Sequence, residues 1–548
     1  MKRKRSKTTG ETRSNHRDSG IGNILLELFV FMTGGVVLAL ELLASRIMTP
    51  YFGVSLYIWT SILSTTLMFL AIGYALGGRL CRRNDSEFLR YAFLLSPVLT
   101  AAAIFFASAM YPLLFPSLVS LGLITGSFIA SALLLGPSLI LLAAMNPLLV
   151  AILDTNRGSA GTPAGRVFFV STVGSVAGVL VCAFIIIPLL TNYRALLLLS
   201  TSLCIATAAV VYLSPGFSAT RRRRLYLISL TVAVTSVILL ATKDRYIDWV
   251  TADNRAPFDA RILAEYSSLY GNVKVAELQL KLSDAPPFLA YLQDGVLQNR
   301  ATMDGVSTSP YTYVLEGLSR AYAPDAERAL VLGLGAGIVP RNLSARGIGV
   351  TTVDINKDAL RAATRFFGFD PTDIDVRWED ARTFVRRCRG EFDIVVVDLF
   401  QGDYAPEHLF SVEFFRDVAR CLTPDGVLVM NARFNSGSND AVRSFLATVR
   451  AALDSVVTYR LPGANDFVVA TRQAPAAARR FDLDGVPRPM RDFINAAAES
   501  GVIVDENIVR GIEPLTDEHN VFNVLFADAH MAQRLRMSKV LPPNVLIN

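Results

Sequence analysis

The chain has 548 residues, of which 52% are hydrophobic and 18% are charged, and its mean hydropathy is +0.40. This composition excludes a small binding module, an ordinary soluble enzyme and a disordered chain, so part of the sequence is expected to lie in lipid. The net charge is +6, and residues 1–20 supply +5 of it, since they hold seven Lys/Arg and two Asp/Glu. The remainder is nearly neutral, which argues against nucleic acid as a partner.

Seven apolar runs before Lys243 are long enough to cross a bilayer as helices, which takes about 20 residues each. They are predicted at residues 24–45, 56–78, 91–111, 128–152, 167–190, 195–213 and 225–241. The first run is too long for a cleaved signal peptide and carries Glu27 and Glu41. We therefore expect a multi-pass α-helical domain of about seven helices at residues 21–245, in the cell (inner) membrane. Residues 1–20 are predicted to form a disordered basic cytoplasmic tail.

The ionisable residues of the first span, Glu27, Glu41 and Arg46, allow two interpretations. Such groups are costly in lipid unless they face the protein interior or reach an interface. An internal Glu–Arg pair that only stabilises the bundle is favoured, because the other spans carry no ladder of further charges. A transport pathway is the alternative.

Loop charges indicate how the spans are oriented. Positive charges concentrate in two loops, at Arg79, Arg82, Arg83 and Arg90 and at Arg221, Arg222, Arg223 and Arg224. The 112–127 connection has none. Basic loops stay in the cytoplasm, so the N-terminus and both basic loops are placed there. With seven spans, everything after Lys243 would lie outside, unless residues 113–152 hold two spans.

The five cysteines do not indicate a metal site. Cys81, Cys182, Cys204, Cys388 and Cys421 are scattered, without a CxxC pair, and their number is odd. Neither a disulfide framework nor a metal cofactor is therefore predicted.

From Tyr246 onward the pattern becomes that of a soluble domain. Residues 246–328 are predicted as a small β-strand subdomain, with hairpin strands at 272–298. Strands and helices then alternate over 329–530, which predicts a parallel, Rossmann-like α/β domain of the class I S-adenosylmethionine type. The predicted strands are 329–333, 349–354, 374–377, 393–398 and 426–430, with a strand pair near 455–471; the predicted helices are 338–346, 357–367, 381–388, 411–421 and 439–453. Residues 531–548 are assigned to a tail.

A glycine-rich turn follows the first of these strands, in Ala329-Leu-Val-Leu-Gly333-Leu-Gly335-Ala-Gly337. Glycines between a strand and a helix let the backbone approach a ligand closely, in front of the helix N-terminus. A dinucleotide fingerprint would need glycine at position 338, where the chain has Ile338. The spacing instead favours a nucleoside–sulfonium ligand over NAD.

Three acids follow successive strands of the predicted sheet. Asp354 ends the second strand, where an acid can accept both ribose hydroxyls, and Asp380 follows the third, within reach of an adenine edge. Asp398 ends the fourth strand and could hold an amine or accept its proton, or it could only cap a loop. His408 is either a second base or, by preference, a loop histidine that is bonded locally.

At this point the sequence resembles the spermidine synthase family of polyamine aminopropyltransferases, over residues 260–526. The resemblance is carried by Tyr291-Leu-Gln-Asp294-Gly295-Val-Leu-Gln298, the glycine turn, Asp354, Asp380, Asp398, Leu409-Phe410-Ser-Val-Glu413 and Pro514-Leu-Thr-Asp517. The spans, with Glu41-Leu-Leu-Ala-Ser-Arg46 and Pro50-Tyr-Phe-Gly53, resemble the membrane-fused bacterial branch of that family.

The resemblance implies a reaction and its participants. The donor would be decarboxylated S-adenosylmethionine, the acceptor a diamine such as putrescine, and methylthioadenosine would leave. A domain outside the cytoplasm would lack this cytosolic donor, so either residues 113–152 hold two spans or the donor is a different one. The partners would be the diamine, the lipid bilayer and often a second copy bound through the soluble domain. By motif match the roles are Asp398 as proton acceptor; Gln298, Gly333, Gly335, Gly337, Asp354, Asp380 and Ala381 for the donor; and Tyr270, Asp294 and Asp403 for the substrate.

Two other functions remain open at this stage. A methyltransferase that uses intact S-adenosylmethionine is favoured by Ala336 and Gln401, which stand where the family usually has acids. A polyamine transporter or sensor, whose soluble domain only binds its ligand, is favoured by the charged groups in the first span.

Overall fold

The computed structural model describes residues 11–83, 85–154, 161–213, 218–252, 256–400, 402, 406–432, 439–463, 465–472 and 477–547. It divides the chain into two compact units. The first unit holds most residues up to Asp253, and the second holds Asn254–Leu546 together with the short segment Pro50–Ser55.

The first unit is helical. Its helices are α1 (Glu11–Phe52), α2 (Leu56–Leu80), α3 (Ser86–Leu118), α4 (Leu123–Leu153), α5 (Gly161–Val181), α6 (Ile187–Leu189), α7 (Asn192–Leu213), α8 (Ala219–Ala241) and α9 (Lys243–Thr251), and a π-helical turn joins α5 to α6. Seven helical segments among the described residues are long and apolar enough to cross a membrane. This confirms the seven predicted runs by length and composition. The interval 113–152 does not hold two spans, because α3 continues through Pro112 and Pro116 and α4 is one helix.

Helices α1 and α5 approach each other at backbone contact. A Cβ added to Gly178 would lie 2.2 Å from the Cα of Gly35, so neither position has room for a larger residue. The same two helices are joined by an ion pair of 2.7 Å between Glu27 and Arg166. Glu27 therefore pairs with Arg166 of another helix, whose side chain is largely exposed.

The second unit begins with a four-stranded antiparallel sheet in the order β1-β2-β3-β4. Its strands are β1 (Phe258–Ser268), β2 (Gly271–Leu280), β3 (Phe288–Gln293) and β4 (Val296–Thr302), and helix α10 (Pro310–Tyr322) follows. This is the predicted β subdomain, with hairpins between successive strands. The tight turn between β3 and β4 contains Asp294 and Gly295, both with positive φ.

The larger sheet has eight strands in the order β12-β10-β11-β9-β8-β5-β6-β7. The strands are β5 (Arg328–Leu332), β6 (Gly349–Asp354), β7 (Ile374–Trp378), β8 (Phe392–Val397), β9 (Leu422–Asn431), β10 (Ser455–Arg460), β11 (Asp466–Thr471) and β12 (Val502–Ile503). The helices are α11 (Ile338–Ser344), α12 (Lys357–Phe366), α13 (Ala381–Val385), α14 (Val412–Cys421), α15 (Asn439–Arg450), α16 (Arg491–Ala498), α17 (Glu506–Val509), α18 (Phe522–Leu525), α19 (Ala527–Val540) and α20 (Pro543–Leu546).

The order of strands positions the site. Strands β5 to β9 run parallel, and the chain passes from β5 to β6 and β7 on one side before it returns to β8 on the other. Ligands bind at such a reversal, beyond the carboxyl ends of the strands. The predicted Rossmann-like fold is therefore confirmed, and its switch point lies between β5 and β8.

Both predicted tails contain helices where the structure describes them. Helix α1 begins at Glu11, so residues 11–20 are helical, while residues 1–10 lie outside the described residues. The interval 531–548 contains most of α19 and all of α20, and Val545 and Leu546 are buried. The polar sequence of α19 has no apolar stripe, so the tail interpretation missed a helix that tertiary contacts stabilise.

Cys388 and Cys421 form a disulfide bond, with their Cα atoms 5.0 Å apart. The sequence analysis predicted no disulfide, because the two cysteines are separated by 33 residues and no spacing pattern links them. Helices α13 and α14, which flank β8, bring them together. The other three cysteines are free.

Candidate functional site

A cavity of about 340 Å³ opens beyond the carboxyl ends of β5, β6 and β8. It extends to β3, β4 and α10, which form its second wall. Eight of the predicted site residues line it: Tyr270, Gln298, Gly333, Gly335, Asp354, Asp380, Ala381 and Asp398. This volume lies within the range of pockets that hold small molecules and cofactors.

The glycine turn after β5 forms the floor of the cavity. Gly333 has a φ of +98°, and a Cβ there would lie 2.3 Å from the carbonyl oxygen of Asp398. Only glycine lets the turn pass the end of β8 so closely. Gly337 is not among the residues that line the cavity. It caps the N-terminus of α11, and a Cβ there would meet the ring of Phe369 at 2.6 Å, so glycine is needed for this packing.

Asp354 is held by the backbone of the glycine turn. One carboxylate oxygen accepts a hydrogen bond from the Leu334 amide at 2.8 Å, and the other accepts one from the Asn356 amide at 2.7 Å. Burial raises the pKa of Asp354, and the backbone amides act in the opposite direction. A carboxylate oxygen has two acceptor sites, so Asp354 can hold the turn and still accept hydroxyl groups of a ligand.

Asp380 begins helix α13 and faces the cavity beside Ala381. One of its oxygens accepts a hydrogen bond from the Thr383 amide at 2.9 Å, and the other lies 3.1 Å from Nε2 of His408. The bond to His408 is the main reason that the pKa of Asp380 falls to about 2. His408 thus pairs with Asp380, 28 residues away along the chain, and it also lines the cavity.

Asp398 follows β8 and is oriented by the neighbouring strand β9. The amide nitrogen of Asn431 donates to its Oδ1 at 2.9 Å. The amide oxygen of Asn431 in turn accepts a hydrogen bond from Asn465 at 2.7 Å. These two bonds fix which end of the Asn431 amide faces Asp398. Asn431 was not predicted, and its place at the end of a strand next to β8 is the one signal that could have indicated it.

Aromatic and amide side chains form the second wall of the cavity. Tyr270, Tyr291 and Tyr311 line it, and the hydroxyl of Tyr311 accepts a hydrogen bond from Asn299 at 2.8 Å. Burial, followed by the nearby carboxylates, raises the pKa of Tyr291 well above its ordinary value, so its hydroxyl stays neutral. Gln298 donates to the carbonyl oxygen of Gly402 at 2.6 Å. Tyr311 lies on α10, outside every motif that the sequence analysis quoted.

Asp294, predicted to bind substrate, does not line the cavity. It is 4% exposed, and its carboxylate accepts a hydrogen bond from the Asn272 amide at 2.9 Å. It also fills the space beside Gly271, where a Cβ would lie 2.4 Å from its Oδ2. Its carboxylate thus stabilises the turn between β3 and β4, and its role in substrate binding stays a prediction. Asp403 and Gln401 lie outside the described residues.

The Pro514–Asp517 motif forms contacts at the edge of the cavity, near His408. Asp517 forms a two-pronged ion pair with the buried Arg382, one contact of which is 2.6 Å, and it also accepts a hydrogen bond from Ser411 at 2.6 Å. Arg382 donates to the carbonyl oxygen of His408 at 2.9 Å. The guanidinium beside Asp517 is the main cause that lowers the pKa of that carboxyl. The motif thus holds His408 and its neighbours against α13.

No group of three or more His, Cys, Asp or Glu side chains that could hold a metal ion occurs in the described part of the chain. The acids of the cavity are instead held by backbone amides, by Asn431 and by His408. Their arrangement suits hydroxyl, amine and amide groups of an organic ligand.

Comparison with known proteins adds a family. Residues 309–462 match the family described as "Spermine/spermidine synthase domain". A polyamine aminopropyltransferase of Vibrio vulnificus is 32% identical over 147 residues, which are 26% of this chain and 48% of that protein. Polyamine aminopropyltransferase 2 of Streptomyces coelicolor is 28% identical over 372 residues, which are 64% of this chain and 63% of that protein.

A methyltransferase is also among the relatives. An N-terminal histidine N-methyltransferase of Emericella nidulans is 29% identical over 204 residues, which are 35% of each chain. This chain spans less than two thirds of the length of each of these three relatives. The matched segment contains the glycine turn, Asp354, Asp380 and Asp398, and seven long apolar helices precede it. Residues 309–462 of the chain are therefore similar to the spermine/spermidine synthase domain, and the relatives named polyamine aminopropyltransferase agree with that match.

Proposed function

We propose that the chain is a membrane-anchored aminopropyltransferase that moves an aminopropyl group from decarboxylated S-adenosylmethionine to a diamine such as putrescine. The observation that carries this proposal is a single cavity whose two sides carry different kinds of residue. One side has the glycine turn with Asp354 and Asp380, and the other has Asp398 among aromatic and amide side chains. A two-substrate transfer requires such a division.

The donor side fits a nucleoside. The turn at Gly333 and Gly335 presents backbone to the ligand, and Asp354 offers acceptor sites at the end of β6, where ribose hydroxyls bind in this fold. Asp380 and Ala381 lie at the far end, where an adenine edge would be bound. The donor supplies a sulfonium group, whose adjacent carbon is open to attack.

Asp398 gives the acceptor side its chemistry. An alkylamine is mostly protonated near neutrality and has no free lone pair, so it needs a base before it can attack. Asp398 takes the proton, the amine nitrogen forms a bond to the propyl carbon, and the bond from that carbon to sulfur breaks. Methylthioadenosine leaves as a neutral thioether. A positioned base of this kind contributes about 10²–10⁴ in rate.

Methyl transfer from intact S-adenosylmethionine is the second candidate. Ala336 is fully buried in the glycine turn, so this chain has no carboxylate there to bind an ammonium group. The similarity to an N-methyltransferase also favours it. The same Asp398 could serve either reaction, because both require a neutral amine nucleophile.

Product analysis separates the two reactions. We expect the full chain, supplied with decarboxylated S-adenosylmethionine and putrescine, to form spermidine and methylthioadenosine, both detectable by mass spectrometry. Methylated amine formed from intact S-adenosylmethionine would instead support the second candidate. If neither product forms with any diamine while the nucleoside still binds, a sensor or transporter would replace the proposed enzyme.

We further propose that the spermidine-synthase-like domain lies outside the cytoplasm, which requires a source of its nucleoside donor on that side of the membrane. Basic residues concentrate in the loops between α2 and α3 and before α8, and with the seven candidate spans of the described residues this pattern favours the opposite side for the chain after α8. The disulfide between Cys388 and Cys421 supports this, because disulfides persist in oxidising compartments and are rare in the cytosol.

A reporter fused after Asn548 tests this side of the membrane. We expect alkaline phosphatase, which needs its own disulfides, to be active there, while green fluorescent protein stays dark. The matched control is the same pair of reporters fused after Arg83, in a basic loop, where the opposite result is expected. A fluorescent and phosphatase-negative fusion at Asn548 would show that the domain is cytoplasmic.

A further inference from the structure

The C-terminal helix α19 carries a side chain that the second unit encloses completely. Arg534 is 2% exposed, whereas Arg536 on the same helix is exposed. A buried guanidinium is costly unless hydrogen bonds satisfy it, and its Nη1 donates to the carbonyl oxygen of Asp294 at 3.2 Å. Arg534 lies outside the 309–462 segment that matches the family.

The guanidinium lies close to the second wall of the cavity, on the side that carries Gln293 and Gln298. A Cβ on Gly402 would lie 3.4 Å from Nη2 of Arg534 and 3.3 Å from the carbonyl oxygen of Gln293. The carbonyl oxygen of Gly402 accepts the hydrogen bond from Gln298. Gln293 and Gln298 both line the cavity. Arg534 thus contacts the two backbone segments, at Asp294 and Gly402, that hold these side chains in place.

The short connection between α1 and α2 belongs to the second unit, and it also contacts Arg534. A Cβ on Gly53 would lie 2.9 Å from Nε of Arg534, and the φ of Gly53 is +88°. Both the conformation and the space therefore require glycine. Pro50 packs against the turn of Gly295, where a Cβ would lie 2.7 Å from its own Cβ. The Pro50–Gly53 motif thus makes room for Arg534.

Helix α18, which precedes α19, packs against the segment that follows β8. The rings of Phe522 and Phe410 are 4.7 Å apart between centroids, and the rings of Phe522 and Phe526 are 4.6 Å apart. Phe410 follows Leu409, which lines the cavity. Helices α18 and α19 therefore contact this segment at Phe410 and at Gly402.

We infer that Arg534 is a positioning residue for the amine-side wall of the cavity, and that it acts through Asp294 and Gly402 on Gln298. The inference rests on the proposed function, because that function assigns this wall, and with it Gln298, to the amine, whereas the family resemblance assigns Gln298 to the donor. Arg534 contacts the chain at Asp294 and Gly402, next to Gln293 and Gln298. Its loss is therefore expected to affect the amine more than the nucleoside.

Steady-state kinetics of the full chain test this role. In Arg534→Lys we expect the KM for the amine to rise at least about tenfold, because a small misplacement of a positioning group has a large effect. Lysine keeps the charge but cannot reproduce the planar guanidinium, which spans two segments. The dissociation constant of methylthioadenosine should stay within about twofold of wild type. Arg536→Lys, on the same helix, is the matched control and should change neither constant.

A double-mutant cycle with Gly53→Ala tests the route of the effect. A methyl group at Gly53 would displace the guanidinium, so this substitution alone should also raise the KM for the amine. Since both changes act on one contact, Gly53→Ala in the Arg534→Lys background should have a smaller effect than in the wild type. Additive effects would show that Gly53 does not act through Arg534.

Hydrogen–deuterium exchange provides a readout that does not need turnover. We expect faster exchange at residues 293–298 in Arg534→Lys than in Arg536→Lys, with unchanged exchange at residues 333–337. A wild-type protein that forms no spermidine would overturn the proposed function and, with it, the assignment of the wall to the amine. Unchanged exchange at residues 293–298, or an equal loss of amine and nucleoside affinity, would overturn the role of Arg534 itself.

Discussion

Replacing Asp398 by asparagine is expected to reduce turnover at least about a hundredfold, the lower end of what a general base contributes. Asparagine keeps the shape of the side chain but cannot take a proton or balance an ammonium group. The substitution should leave nucleoside binding nearly intact, because the donor side is built from β5, β6 and α13. Turnover with decarboxylated S-adenosylmethionine and a diamine, and calorimetry with methylthioadenosine, measure the two quantities separately.

The control for this prediction is Asp375→Asn. Asp375 lies on β7 with its side chain about half exposed and paired to Arg377, away from the cavity. Asp375→Asn removes a negative charge from the same sheet and should leave turnover unchanged. If Asp398→Asn retains wild-type turnover, Asp398 only caps the end of β8, and the base must be sought elsewhere.

Asn431, which donates a hydrogen bond to Asp398, affects how the turnover of Asp398→Asn is interpreted. In Asp398→Asn, the amide of Asn431 faces a second amide, which can still accept its hydrogen bond through the oxygen. This hydrogen bond is therefore conserved, so a large loss of turnover would not come from an unsatisfied amide of Asn431. Thermal unfolding of the variant close to that of the wild type would support this interpretation.

The donor side could be predicted from the sequence because its contacts follow chain order. Gly333 follows β5, Asp354 ends β6 and Asp398 follows β8, and the carboxyl ends of parallel strands meet at one edge. Once the alternation of strands and helices is recognised, these residues must converge. The boundaries of the strands in this region agree with the predicted ones to within a few residues.

The amine side depends on contacts that sequence order does not encode. Asn431 is 33 residues from Asp398, and Arg534 is 240 residues from Asp294. Neither lies in a motif, and the helix that carries Arg534 has no apolar periodicity by which to detect it. Asp294 does lie in a motif, yet its carboxylate is used inside the turn. A motif indicates which residues matter but not whether they face a ligand or the backbone.

Substitution of Asp354 by alanine is expected to weaken binding of an S-adenosyl nucleoside by about 1.5–3 kcal/mol, the usual size for hydrogen bonds to a charged group. That range corresponds to roughly 10–150-fold in the dissociation constant, which calorimetry resolves. The physical reason is the position of the carboxylate at the end of β6, where it lines the cavity beside the glycine turn.

The same carboxylate also holds the turn, so the loss of affinity has two sources that must be separated. Alanine removes the acceptors for the Leu334 and Asn356 amides as well as those for the ligand. Asp354→Asn is the informative partner, because it retains one oxygen for the turn while it loses the charge. If the ligand hydroxyls bind Asp354, both variants should bind the nucleoside more weakly than Asp370→Ala, a control in an exposed loop. An unchanged dissociation constant in all three would mean that Asp354 serves the turn alone, and the glycine backbone would then have to bind the ligand without it.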